Sequence, residues 1–244
     1  MFDGKGMEMS GHIKLWDAPL RLFHWLFAGA VIAAIVTGWV GGSLMPWHGR
    51  LGLLVLGLLV FRLVWGFVGS TYARWSRIFA ATVGVKDYLQ GNWREAGHNP
   101  LGAFSVLTML LLVSFQVTSG LMATDDIAFQ GPLYTLVSSE TGSALSGLHR
   151  QAKWLLLVLI GFGLIGLYDD YLKVKHQNHK GFGGKQRLAI ETTIAVVACI
   201  MIASQTGDPY ATSLLFPFVK GLALDLGIFF FVFGAFVIVG AGNS

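Results

Sequence analysis

Charge is what this chain has least of. Only 12% of its 244 residues are Asp, Glu, Lys or Arg, and 54% are hydrophobic. That is about half the charge of an ordinary soluble domain. Long apolar runs recur, so the composition predicts an all-α, polytopic integral membrane protein. Cysteine is almost missing as well. Cys199 stands alone, which excludes an internal disulfide, a CxxCH haem attachment and a thiolate zinc site. Any haem must be held non-covalently, and Cys199 itself reads as a buried thiol. A clustered basic face is also absent. Net charge is +4, but the Lys and Arg residues sit in short loops between apolar runs, so no nucleic-acid partner is expected. Nor is there a cleavable leader. Residues Met1–Gly11 are polar and the apolar run that follows is too long for one, so it reads as a retained first span.

Six apolar segments follow in order. Span one covers about Pro19–Val40 and is broken by Gly41, Gly42 and Pro46. Span two covers His48–Val68, and a polar segment runs from Gly69 to Pro100. Span three covers Leu101–Ala123 and span four Leu148–Tyr168, with Asp169 and Asp170 closing its far end. Span five covers Leu188–Ser204 and span six Leu222–Ala241, with a short apolar piece, Ala211–Val219, expected to be re-entrant or interfacial.

Orientation follows from the basic residues. The N-terminal arm (Lys5, Lys14, Arg21), the loop after span two (Arg74, Arg77, Lys86, Arg94) and the segment 169–187 are basic. Alternating spans place all three on one side, which is therefore the cytoplasm. The loop Thr124–Gly147 holds Asp125, Asp126 and Glu140 and no Lys or Arg, so it faces outward. The expected location is the bacterial inner membrane, multi-pass, with a cytoplasmic N-terminus.

An ionisable side chain within a span is a functional candidate by default. His48 opens span two and His149 opens span four, both at the outer surface. Two imidazoles at matched depth across a bundle are what a bis-histidine haem requires. Each taken singly is an ordinary interfacial residue. His24 lies deeper, in the first turns of span one. Its partner would lie about four turns after His149, where Gly163 stands among Phe162, Leu164 and Ile165. Arg62, inside span two, is placed to pair with a haem propionate or to reach the cytoplasmic interface. Gln116 and Ser119 of span three read as packing and interhelical hydrogen-bonding residues.

Four stretches in order, LWDAPLRLFHW, WHGRLGLLVLGLLVFRLVWGFVGSTYARW, GHNPLGAFSVL and LHRQAKW, resemble the prokaryotic cytochrome b-561 family, which includes the cytochrome b subunits of nickel-iron hydrogenases. The resemblance covers about His12–Val158. It implies a four-helix haem-binding transmembrane bundle that passes electrons between quinones and a redox partner, such as a hydrogenase or dehydrogenase subunit. Carried over by motif, His48 and His149 match one haem's ligands and His24 the first-helix ligand of a second haem. The later ligand of helix four falls on Gly163, which leaves one complete haem b site. His98, within GHNPLGA, receives no ligand role.

From about Gly161 the text changes. GFGLIGLYDDYLKVKHQNHKGFGGKQRLAIE and LLFPFVKGLALDLGIFFFVFGAFVIVGAGNS resemble phospho-N-acetylmuramoyl-pentapeptide transferases, membrane enzymes of peptidoglycan synthesis. This resemblance implies a Mg2+-dependent transfer to a polyprenyl phosphate, with Asp169 and Asp170 at the site and Lys173, Lys175, His176, His179, Lys180 and Lys185 near phosphates or anionic lipid. The family's preceding helices and its later aspartate-bearing loop are not found. The expected organisation is a cytochrome-like region, 1–160, and an incomplete transferase-like region, 161–244, contributing about two further transmembrane helices. The leading reading is a membrane electron carrier with non-covalent haem b. The alternatives are the transferase and an inert fusion.

Overall fold

The computed structural model describes residues 16–95, 97–125, 127, 129–177, 181, 183–206, 212–215 and 223–242. Lys5 and Lys14 of the basic arm, Asp126, His179, Lys180 and most of 211–219 lie outside the described residues. The chain forms two compact units, Met1–Leu107 and Thr108–Ser244.

The first unit begins with helix α1, Ala18–Val40. Asp17 starts it, its carboxylate accepting from the Leu20 N–H at 2.8 Å, and Pro19 sits in the first turn, where its missing N–H costs nothing. Gly41, at φ +67°, ends it. A three-residue turn leads into α2, Met45–Val68, with Pro46 in its first turn. The two helices run antiparallel along their length. Phe23 meets Phe61 with ring centroids 6.0 Å apart, and the Trp65 indole donates to Asp17 at 3.1 Å. Leu53, Leu63 and Phe67 of α2 are exposed, as a lipid-facing surface requires.

The segment expected to be a polar connection carries two short helices, α3 (Trp75–Val83) and α4 (Val85–Leu89). Ile78 and Ala81 of α3 are buried with Ala103 of α5 (Pro100–Leu121), and Trp75, Trp93 and Val106 pack against them. The opposite face leaves Phe79 and Val83 exposed. The apolar residues at 75, 78, 79 and 83 have helical spacing, but the four basic residues around them obscure it in the sequence.

The second unit contains the rest of α5, then α6 (Ser139–His176), α7 (Gly184–Thr206), strands β1 (Ser213–Leu215) and β2 (Ala223–Asp225), and α8 (Phe229–Gly242). α6 corrects the expected span four at both ends. It starts nine residues earlier, where the Ser138 hydroxyl accepts from the Thr141 N–H and Glu140 occupies the first turn. It continues two turns past Asp170, supported by Lys173 paired with Asp169 and Asp170. It ends at Gln177, whose φ is +49°. The sequence boundary near residue 160 lies inside this helix, which is continuous there.

α7 packs between α6 and α8. Ala195, Ala235 and Val239 form a buried seam joined by Phe162, and small residues let the helices approach. Among the described residues, five helices, α1, α2, α5, α6 and α7, are long and apolar enough to cross a membrane. The expected sixth span differs. Ala223–Asp225 pairs antiparallel with Ser213–Leu215 instead of joining a helix. Only 14 residues of α8 remain helical, about 21 Å of helix against a hydrocarbon core of roughly 30 Å.

Candidate functional site

His48 lies in the first turn of α2, half-buried against α1. Its Nδ1 is 2.8 Å from the Ala34 carbonyl oxygen. A carbonyl only accepts, so Nδ1–H donates, and the tautomer places the ring's lone pair on Nε2. The ring rests on Gly38. A Cβ there would stand 2.8 Å from His48 Nδ1 and 2.9 Å from Cε1, so only glycine gives the imidazole this seat.

His149 is held the same way in the second unit. It lies in the third turn of α6, not at the helix start that the sequence suggested, because the polar stretch Ser139–Gly147 is helical. Nδ1 donates to the Gln116 carbonyl of α5 at 2.9 Å and lies 3.2 Å from the Ser119 hydroxyl. The ring rests on Gly120, where a Cβ would stand 2.9 Å from Cε1. In both seats the accepting carbonyl precedes the glycine by four residues. Nδ1 donating to a carbonyl is the arrangement that orients a histidine ligand and raises its donor strength. The donor chemistry therefore fits haem iron at both rings.

Arg62 is buried, 5% exposed, with its guanidinium 4.4 Å from the Trp75 ring centroid. Its Nη1 has no hydrogen-bond partner among the described residues. A buried cation with an unsatisfied N–H suits an anionic group such as a propionate. The guanidinium lies toward the end of α2 away from His48, against Trp75 of the connection that follows. His98 lies near it. Burial, and then the Arg62 charge, push the His98 imidazole below its usual value. His98 also borders a cavity of about 430 Å³ lined by Tyr72, Arg77, Trp93 and Arg94.

His24 is built differently. It is exposed, with edge-on ring contacts to Trp16 at 5.6 Å and Trp25 at 5.4 Å. Gly163 is exposed too, and a Cβ there would meet nothing within 4 Å. Among the described residues, neither position has the seat found at His48 and His149.

Asp169, 8% exposed, is held by Lys173, whereas the Asp170 side chain is 78% exposed. Among the described residues, no three His, Cys, Asp or Glu side chains gather as a metal donor set. Sequence reasoning missed Glu191, which is 1% exposed and accepts from Arg187 Nε at 2.8 Å. It also missed Asp17, although Asp followed by Pro two residues later is a helix-start signal. At Asp17 burial is outweighed by neighbouring Ser70 and by the hydrogen bonds from the Leu20 N–H and the Trp65 indole, which hold the carboxyl below its ordinary value.

The phospho-N-acetylmuramoyl-pentapeptide-transferase of Rhodopseudomonas palustris (strain BisA53) is 53% identical over 92 residues, 37% of this chain and 26% of that protein's length. No solved structure matches the chain. A family model described as prokaryotic cytochrome b561 matches residues 15–175, a range that includes both glycine-seated histidines, Arg62 and nearly all of α6. With two thirds of its length matched, this multi-pass membrane chain belongs to the prokaryotic cytochrome b561 family.

Proposed function

We propose that the chain is a membrane b-type cytochrome that transfers electrons between a quinone pool and a redox partner, a hydrogenase or dehydrogenase subunit. The observation that carries this reading is the repeated seat. His48 and His149 each donate Nδ1–H to a carbonyl and rest on a glycine, so both present the metal-binding tautomer. Haem b would be held by His48 and His149; Arg62, fourteen residues beyond His48 on α2 and about 21 Å along it, is at the level of His24 and would serve a propionate of the second site. Bound haem supplies the one-electron chemistry. The protein orients the two imidazoles and fixes their tautomer.

His24 is assigned to a second haem site that this chain leaves incomplete. Fourteen residues separate His24 from Gly38, and fourteen separate His149 from Gly163, about 21 Å of helix in each case. The expected partner position thus holds a residue without a donor. The proposed orientation keeps the N-terminus, α3 and the end of α6 on the cytoplasmic side of the inner membrane, where Arg74, Arg77 and Lys175 face anionic lipid.

The identity to a transferase over 92 residues favours a second reading for the C-terminal part. Residues 161–244 would be a transferase-like segment joined to a cytochrome-like region 1–160. Asp169 is engaged by Lys173, so a Mg2+-dependent reaction at Asp169 and Asp170 has less support than electron transfer.

The test is the haem-to-polypeptide ratio of the purified protein, with oxidised and reduced spectra. A bis-histidine b-type spectrum at about one haem per chain, lost in His149→Ala, is expected. No haem from cells able to supply it sinks the reading. Reduction of membrane-embedded protein by a quinol tests the proposed donor.

A further inference from the structure

The two histidine seats share more than a glycine. On α1 the sequence is Ala33-Ala34-Ile35-Val36-Thr37-Gly38, and on α5 it is Phe115-Gln116-Val117-Thr118-Ser119-Gly120. A hydroxyl residue precedes each glycine. Thr37 Oγ1 donates to Ala33 O at 2.7 Å and approaches Ala34 O at 3.1 Å. Ser119 Oγ donates to Phe115 O at 2.7 Å and approaches Gln116 O at 3.1 Å. The second carbonyl in each pair is the one that takes the histidine Nδ1–H. A hydroxyl bonded back to the preceding turn bends a helix locally and tilts the carbonyls it touches. Here one of the two carbonyls that the hydroxyl touches is the histidine's acceptor.

The seats also differ. Ser119 is 1% exposed and lies 3.2 Å from His149 Nδ1. Its proton is committed to backbone carbonyls, so toward the ring the oxygen offers a lone pair. His149 Nδ1–H is therefore shared between Gln116 O and Ser119 Oγ. Next to it, Thr118 bonds back to Ser114 O and Phe115 O from an exposed position. It has the same local chemistry and no recorded contact with the ring, which makes it a matched control.

We propose that Thr37 and Ser119 are positioning residues for His48 and His149: each fixes the carbonyl that receives the ring's Nδ1–H, and Ser119 adds its own oxygen as a second acceptor. This rests on the reading of His48 and His149 as haem ligands. More acceptor strength at Nδ1 raises the electron density the imidazole gives to a metal and favours the oxidised state. Ser119 therefore holds the reduction potential down, and Thr37 sets the plane of the His48 ring.

The experiment compares Ser119→Ala, Ser119→Cys, Thr37→Val and Thr118→Val in the purified full chain. Its readouts are haem content, midpoint potential and the low-spin ferric electron paramagnetic resonance signal, which reports ligand-plane orientation. Ser119→Ala is expected to keep its haem and move to a more positive potential. Ser119→Cys, with a weaker acceptor, falls between it and the wild type, and decides the matter if the alanine variant loses haem. Thr37→Val shifts the resonance signal, and Thr118→Val changes neither readout. A haem-loaded variant of Ser119 or Thr37 that matches Thr118→Val in both readouts overturns that residue's role. A wild-type protein without haem overturns the ligand reading and this role with it.

Discussion

His24 and His48 belong to the same helical pair, yet they are built on opposite plans. His48 is fixed through Nδ1, seated on a glycine and half-buried. His24 is exposed, and its recorded ring contacts are the edges of Trp16 and Trp25. The ring of His48 docks ten to fourteen residues beyond His24 along α1, about 15–21 Å away. One imidazole is preorganised, so little rotamer freedom is lost when it binds a ligand. The other must be ordered by whatever binds it. A histidine within a span is thus a weak signal, and the treatment of its second nitrogen is a stronger one.

The sharpest way to break this comparison is to remove the histidines. His48→Ala or His149→Ala should abolish bound haem, whereas His24→Ala should leave the haem content unchanged, read as the pyridine haemochrome ratio. If His24→Ala also empties the protein, the contrast fails. Next in size is the seat. Gly38→Ala and Gly120→Ala each place a methyl within 2.9 Å of a ring atom and should weaken haem retention by about tenfold or more, as disturbed outer-shell support does at metal sites. Titrating haem into apo-protein measures this.

The comparison can also be sharpened by giving His24 a partner. Gly163 has room for a side chain. Gly163→His should raise the haem ratio from about one toward two, and the gain should vanish in the His24→Ala double variant. The smallest expected effect concerns Asp17, which caps α1 and ties it to Trp65. Asp17→Ala should cost about 1 kcal/mol, read as a lower unfolding temperature in detergent. The carboxyl's folded-state pKa is below its ordinary 3.8. Its contribution is therefore complete above about pH 4 and is lost as pH falls through the lower folded value. The gap between wild type and variant should close in that acid range.

The sequence made α1, α2, α5 and α7 legible because their apolar runs are long and end at Gly, Pro or charge. It did not reveal the length of α6. Ser139–Gly147 has no apolar stripe, and Tyr171–His176 is charged, so both ends look like loop. Both are helical because of a cap at Ser138 and the Lys173 pairs. α8 failed the opposite way: hydropathy alone extended it back through a strand. His48, His149 and Arg62 could be named from their types and positions. The seats could not, because Thr37-Gly38 and Ser119-Gly120 look like ordinary small-residue packing until the ring that each receives is known.

The 38 residues of α6 are about 57 Å long, nearly twice the hydrocarbon thickness. Arg150 and Asp169 lie nineteen residues apart on it, about 28 Å along its axis, which is close to the width of the apolar slab. Lys153 lies one turn inside this interval, close enough to its end for a long side chain to reach the interface. α6 is therefore longer than the apolar slab it can cross, and its first turns have another use: Gly142 and Ser146 are buried, and the Ser146 hydroxyl accepts from the Thr124 N–H at 2.8 Å, which steadies the helix one turn ahead of His149.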